Sequence, residues 1–211
     1  MTRLKVNEEV NRPPNSPNDW WKHNRRSVRE IDTSWVGWDK LLRYFESIKE
    51  DNRLRFLFTA LFEVGARATE ITDATRDNFI IGEQAIKVEN LPVLKCRRKV
   101  LRNCLIPRKN DMLFDGFTNF LEKIDDPEER LFKFGRTRAY QLVRSISDDL
   151  WNHWFRSQRA FYFVKVWKFN IFDLKDWFEW QRADTPLWYI QQSLTEQADK
   201  LGITEIPERR Y

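Results

Sequence analysis

The chain has 211 residues, of which 41% are hydrophobic and 15% aromatic, a size that buries one good core but hardly two full domains. Lysine and arginine outnumber aspartate and glutamate by 37 to 32, and the net charge of +5 favours a polyanionic partner, above all nucleic acid. No apolar run approaches the roughly 20 residues that span a bilayer, so we expect no membrane partner.

Residues 1–31 are predicted to form a flexible basic tail. Three prolines interrupt a polar stretch that has little helical or strand periodicity: Pro13, Pro14 and Pro17. Flexible basic arms often touch phosphate, which makes three cations candidate nucleic-acid contacts: Lys22, Arg25 and Arg26. A solvated run of charges is the alternative, and the more common one.

The rest of the chain, residues 32–211, is predicted to form one domain. Hydrophobic residues at helical spacing indicate helices over 32–49, 51–64 and 68–71. Gly65 suits the end of the second helix, because glycine readily adopts a left-handed conformation there. The short third helix would place Glu70 one turn beyond Arg67, where its carboxylate could hold the guanidinium group.

The middle of the domain changes to strand-like patterning. Three segments, 79–81, 85–88 and 100–106, predict a small antiparallel sheet, with a basic turn at 95–99 between the last two. Cys96 and Cys104 are ordinary strand residues in this interpretation, since two cysteines and two histidines are too few for a disulfide framework or a zinc cluster. Helices follow over 112–124, 137–150, 155–167, 172–180 and 187–201, so the fold class is α+β and mostly α.

Four places along the chain carry side chains that suit one phosphodiester. They are Gly65-Ala66-Arg67, His153-Trp154-Phe155-Arg156, Trp180 and, nine residues later, Tyr189. A phosphodiester under attack gains negative charge on its nonbridging oxygens, and without a metal ion preorganised cationic donors must compensate it. Arginine fits this task, because its guanidinium group stays charged and offers a planar fork of donors to two phosphate oxygens.

With these residues in this order, the chain resembles the catalytic domain of the tyrosine recombinases, the phage-integrase family, and more loosely its archaeal and archaeal-virus members. The segment over 58–71 is similar to the family's first box, in which Gly-x-Arg is followed three residues later by an acid. His153 and Arg156 match its His-x-x-Arg box. The likeness covers roughly residues 33–200, and the combination of boxes is far more specific than any one of them.

The resemblance implies a helical catalytic domain with a small three-stranded antiparallel sheet. It also implies an activity: cleavage and rejoining of double-stranded DNA through a covalent 3′-phosphotyrosine, with no metal, ATP or other cofactor. Tyr189 would be the nucleophile, and Arg67 and Arg156 would bind the phosphate. His153 would donate to the same phosphate or take the proton of the phenol, and Trp180 would donate one hydrogen bond from its indole N–H.

The family protonates the leaving 5′ oxygen with a lysine on a β-hairpin. Here the basic turn offers Lys95 and Lys99, of which we favour Lys95 because it ends the outgoing strand. Arg97, Arg98 and Arg159 are further candidate DNA contacts. Taken singly, each candidate also has an ordinary explanation: a surface arginine, a helix cap, a core tryptophan or a packing tyrosine.

The resemblance also implies self-association on DNA, as a dimer or a tetrameric synapse, and a cytoplasmic location, at the nucleoid when DNA is bound. Family members usually carry a helical core-binding domain before the catalytic one. Only about 30 residues precede it here, so we expect either a fragment or a minimal enzyme. A catalytically silent DNA-binding relative that regulates recombination is the alternative function. A metal nuclease is more distant, because the sequence shows no tight group of acidic residues and histidines.

Overall fold

Eight α-helices and one antiparallel sheet make up the part of the chain that the computed structural model describes, residues 35–94, 99–182 and 184–190. The helices are α1 (Trp38–Ser47), α2 (Asn52–Val64), α3 (Ala68–Asp73), α4 (Phe114–Leu121), α5 (Arg136–Ile146), α6 (Asn152–Lys165), α7 (Ile171–Phe178) and α8 (Asp184–Ile190). The strands are β1 (Phe79–Ile81), β2 (Ala85–Val93) and β3 (Val100–Pro107), and a 3₁₀ turn, Arg76–Asn78, precedes β1.

Helix α2 lies at the centre of the core. Its first turn is capped by Asp51, whose carboxylate accepts hydrogen bonds from the backbone N–H groups of Arg53 and Leu54 at 3.0 and 2.9 Å. All residues from 57 to 64 are buried, so the second half of the helix is enclosed on every side. Gly65 ends it in the left-handed conformation, with φ 54° and ψ 21°, as the sequence predicts.

Helix α6 packs against α2 and is buried along most of its length. The rings of Phe58 and Phe155 meet edge to face across this interface, with centroids 4.8 Å apart. At the end of α2, a Cβ on Gly65 would lie 3.0 Å from Cε1 of Phe178 and 3.1 Å from Cγ of Arg159. The missing side chain therefore lets the ends of α2 and α7 approach α6 closely.

The three strands pair in the order β1-β2-β3. Ile86 pairs with Ile106 and Val88 with Cys104, and these four side chains are buried. The register shifts between Val88 and Leu91, where Asn90 has a positive φ of 55°. Beyond the shift, Leu91 pairs with a buried residue of β3, Arg102.

The helical fold with a three-stranded antiparallel sheet is confirmed, with differences at the element ends. Helix α1 begins at Trp38 rather than near residue 32, β2 continues to Val93, and α6 begins three residues earlier than predicted, at Asn152. Trp180 lies beyond the end of α7. The predicted tail over 1–31 lies outside the described residues. Within the described ranges, no helix has the length and apolarity to cross a membrane.

Candidate active site

Arg67 and Glu70 form the first part of the site, where α2 ends and α3 begins. One carboxylate oxygen of Glu70 accepts from the backbone N–H of Arg67 at 2.9 Å, and the other accepts from its guanidinium group at 2.7 Å. The predicted pairing of these residues is therefore present. Both groups also bind the end of β2: the Arg67 guanidinium donates to the carbonyl of Leu94 at 2.9 Å, and the Leu94 N–H donates to Glu70 at 2.9 Å.

Arg156 reaches the same region from α6. Its guanidinium group donates to the carbonyl of Gly65 at 2.8 Å and to that of Phe178 at 3.2 Å. Gly65 lies two residues before Arg67, so the structure brings both predicted arginines to one end of α2. Arg156 is only 1% exposed, whereas the side chain of Arg67 is 31% exposed. Of the two, Arg67 is thus the one already accessible to a ligand.

Arg102 is a third guanidinium group in this cluster, and the sequence analysis missed it. It is completely buried on β3 and donates to the carbonyls of Val64 at 3.1 Å and Phe178 at 3.3 Å. Its Nη2 also lies 3.8 Å from Oε2 of Glu70. Strand alternation could have found it, because Arg102 shares its inward face with Cys104 and Ile106.

The cluster carries more positive than negative charge. Three guanidinium groups, those of Arg67, Arg102 and Arg156, face Glu70 and the partly exposed Glu179. Burial, followed by repulsion from Arg102, lowers the pKa of Arg156 to about 9. Burial also lowers the pKa of Arg102. A bound anion would offset this surplus of buried positive charge.

Burial and charge act in opposite directions on Glu70. Burial raises the pKa of its carboxyl group, but the hydrogen bond from the Arg67 backbone and the charges of Arg102 and Arg67 outweigh burial, and the pKa is lowered overall. Glu70 is therefore ionised at neutral pH. Its fixed negative charge orients two of the three guanidinium groups.

An aromatic column joins Tyr189 to this cluster. The rings of Phe178 and Trp180 stack at 4.6 Å with an 11° interplanar angle, and those of Trp180 and Tyr189 stack at 5.2 Å with a 9° angle. The Arg156 guanidinium carbon lies 4.8 Å from the Phe178 ring centre and 5.4 Å from that of Trp180. Tyr189 Oη lies 3.5 Å from Ser157 Oγ. Three predicted site residues, Arg156, Trp180 and Tyr189, are thus in successive contact.

His153 lies at the exposed start of α6. It lines a cleft of about 570 Å³ that Arg67 also lines. The structure therefore brings the predicted histidine and the first predicted arginine to one solvent-accessible space. His153 is inside the first turn of the helix rather than in front of it, because α6 begins at Asn152.

Some predicted residues fall where the structure gives no description. Lys95, Arg97, Arg98, Lys22, Arg25 and Arg26 lie outside the described residues. Lys99 is described and exposed, directly before β3. Among the described residues, no group of three His, Cys, Asp or Glu side chains has the arrangement of a metal site.

The prediction that Arg159 contacts DNA is wrong. Its side chain is fully buried between Glu63 at 3.2 Å and Asp111 at 2.6 Å. The guanidinium group is also surrounded by the rings of Phe62 and Phe163, at 5.1 and 4.8 Å. Helix α6 is buried on the side that carries Arg159 as well as on the side that carries Arg156.

Comparison with solved structures gives the fold. A crystal structure of XerA recombinase superposes with a TM-score of 0.60 at 15% identity, covering 82% of this chain and 66% of that one. Two structures of XerH site-specific recombinase give TM-scores of 0.59 at 14% identity: a pre-cleavage complex with its difH substrate and a post-cleavage complex with a palindromic difH substrate. They cover 82% and 81% of this chain, which spans 55% and 53% of theirs.

Comparisons by sequence add no further relative. No protein-family model matches the chain, and a search of curated proteins gives no match. At 14–15% identity the structural likeness concerns the fold. The mostly helical architecture, the three-stranded antiparallel sheet and these superpositions agree: the chain has the fold of a tyrosine recombinase catalytic domain.

Proposed function

We propose that this protein is a site-specific DNA recombinase that cleaves and rejoins DNA strands through Tyr189, without a metal ion or ATP. The observation that carries the proposal is the contact chain from Arg156 through Trp180 to Tyr189. It connects a phenol near the end of the chain with buried guanidinium groups from distant segments. A phosphate placed there would meet both a nucleophile and compensating charge.

In the proposed reaction, the Tyr189 oxygen attacks the scissile phosphorus and forms a P–O bond with it, and this phosphorus stays attached to the 3′ end of the cleaved strand. The bond from phosphorus to the 5′ oxygen breaks, and that oxygen leaves with its electron pair. The phenol proton goes to His153 or to solvent, and Lys95 supplies a proton to the leaving 5′ oxygen. Reversal of the same steps rejoins the strand, since the phosphotyrosine diester preserves the bond energy.

The charge of the cluster supports this role. Arg67 is partly exposed and fixed by Glu70, so it offers a preorganised fork to a nonbridging oxygen. Arg102 and Arg156 are buried, and their unbalanced positive charge stabilises the additional negative charge of the transition state without direct contact. Direct contact between a phosphate and Arg156 requires neighbouring groups to move, because that side chain is 1% exposed.

The backbone bonds of Leu94 support Lys95 as the general acid. Leu94 is tied through both its N–H and its carbonyl to the Arg67–Glu70 pair. Lys95 directly follows Leu94 in the sequence. Lys99 is exposed and lies directly before β3, five residues beyond Leu94 in the sequence.

The test is formation of a covalent adduct. The protein is incubated in EDTA with a nicked duplex whose cleaved end diffuses away, and the adduct is resolved on a denaturing gel. Wild type should form it and Tyr189→Phe should not, while Tyr44→Phe, on α1, should behave as wild type. An adduct of unchanged yield with Tyr189→Phe would assign the nucleophile to another residue.

A catalytically silent DNA-binding relative remains the second candidate, favoured by one observation. Both Nη atoms of Arg156 already donate to backbone carbonyls, so this arginine has a structural role in the absence of DNA. In that case the wild type would bind duplex DNA with a steep salt dependence and form no adduct. We further propose that the protein self-associates on DNA, which sedimentation on a duplex with two sites would measure.

A further inference from the structure

The cleft beside Arg67 extends well beyond the proposed reaction centre. It has a volume of about 570 Å³ and is lined by nine described residues: Arg67, Ala68, Thr69, Arg136, Thr137, Tyr140, Trp151, Asn152 and His153. Two are arginines, one is a histidine, and none of these described residues is acidic. Another described cavity, which contains Arg108, differs in this respect, because it also contains three carboxylates: Glu83, Asp115 and Glu122. The composition of this cleft favours an anion.

Two helices begin at the wall of the cleft and add to its positive potential. Helix α5 starts at Arg136 and helix α6 at Asn152, and both residues line the cleft. The residues before them, Gly135 and Trp151, provide no side-chain cap to either helix. The first-turn N–H groups of such helices carry partial positive charge and attract phosphate.

The cleft also offers aromatic surface. Tyr140 is 48% exposed and Trp151 is partly buried, and both line the cleft. Exposed aromatic rings among cations are typical of surfaces that hold the sugar and base of a nucleotide next to its phosphate. Arg136, at the start of α5, is exposed and also lines the cleft.

We propose that this cleft is a second phosphate subsite, which holds the DNA backbone unit next to the scissile phosphate. Arg136 binds the phosphate, Tyr140 contacts the sugar, and Arg67 lies between this subsite and the reaction centre. The inference deepens the proposed function and rests on it for the identity of the ligand as DNA. Its consequence is that Arg136 fixes the register of the scissile phosphate against Tyr189.

Arg138 provides a matched control on the same helix. It is also an exposed arginine, but it lines a different cavity, the one formed with Phe56 and Phe132. Arg136→Gln and Arg138→Gln therefore remove the same charge from one helix, at positions two residues apart. Both variants are made with Tyr189→Phe, so that binding to duplex DNA is measured without cleavage. Thermal unfolding of each variant checks that the fold is unchanged.

We expect Arg136→Gln to weaken binding by about tenfold at low salt and to reduce the slope of log K against log salt by about one. Arg138→Gln should change both quantities much less. Equal losses for the two variants would show that only net charge matters, and would overturn the subsite. If neither variant binds DNA more weakly than the parent protein, the proposed subsite is also overturned.

A neutral methylphosphonate placed at one backbone position at a time identifies the bound phosphate. Replacing the phosphate next to the scissile one should weaken the binding of DNA by the Tyr189→Phe protein. The same replacement should cause no further loss in the protein that also carries Arg136→Gln, because the contact is already absent. Additive losses at every position would contradict a contact between that phosphate and Arg136. Failure of the wild type to form an adduct would refute the proposed cleavage through Tyr189. The binding measurements would still show whether Arg136 binds the neighbouring phosphate.

Discussion

Glu70 holds Arg67 at two points, through the backbone N–H at 2.9 Å and through the guanidinium group at 2.7 Å. The same carboxylate accepts from Leu94 at 2.9 Å and faces Arg102 at 3.8 Å. It therefore connects the start of α3, the end of β2 and the interior of β3. One ionised group fixes both the geometry and the charge of the proposed phosphate site.

Replacing Glu70 with Gln should weaken both stability and activity. The loss of charge-assisted hydrogen bonds costs about 1.5–3 kcal/mol each, and it leaves Arg102 without its buried counter-charge. Because the folded pKa of Glu70 is lowered, its stabilisation is present above the ordinary glutamate pKa and is lost as the pH falls through the lowered value.

Urea denaturation at pH 7, 5, 4 and 3 measures this contribution. The wild type should lose stability more steeply than Glu70→Gln as the pH falls, and the difference between the two proteins should shrink. Glu122→Gln, an exposed change after α4, is the control and should leave the wild-type curve unaltered. Parallel pH curves for wild type and Glu70→Gln would contradict the lowered pKa.

Arg102 should matter for cleavage although nothing in the solvent can reach it. Arg102→Met removes the hydrogen bond to the carbonyl of Val64 and one of the two to the carbonyl of Phe178, which Arg156 also reaches. It also removes a buried positive charge that faces Glu70, and breaking a buried ion pair in this way costs about 3–5 kcal/mol. Arg102→Lys keeps the charge but loses the planar fork, so it should be intermediate in stability. Adduct formation is measured below the unfolding midpoint of each variant. Full adduct rates for a folded Arg102→Met protein would exclude an electrostatic role.

Gly65 should be intolerant of any side chain. Gly65→Ala adds a methyl group in the left-handed region, 3.0 Å from a ring carbon of Phe178, so we expect a loss of about 1–3 kcal/mol. Gly116→Ala is the matched control, since it lies in α4 with no atom within 4 Å of the added Cβ and should stabilise by up to about 1 kcal/mol. Equal unfolding midpoints for both variants would refute the packing argument.

Lys95 and Lys99 can be separated by the chemistry of the leaving group. Lys95→Ala should slow adduct formation by about 10²–10⁴, the usual contribution of a general acid, while Lys99→Ala should have little effect. In a substrate that has sulfur in place of the leaving 5′ oxygen, the leaving group departs as a thiolate and needs no proton. Lys95→Ala should therefore recover on that substrate. Recovery of Lys99→Ala instead would reverse the assignment.

Periodicity predicted most elements because it follows directly from burial. The apolar residues of α2 and the inward alternation of the strands appear in the sequence and in the structure alike. Arg159 shows where this reasoning failed. Its charge suggested solvent, but Glu63 and Asp111 come from distant segments, and no local pattern shows that they neutralise it.

The amino-acid sequence by itself determined the local features of this protein. These are the end of α2 at Gly65, the pairing of Arg67 with Glu70 one helical turn away, and the three strands. These depend on backbone geometry and near neighbours, which sequence spacing encodes. Only the tertiary structure decided that Arg102 is buried beside Glu70, that Arg156 binds carbonyls, and that Arg136 shares a cleft with Arg67. Those relations depend on how whole elements pack, because desolvation and long-range charge are set by the assembled core.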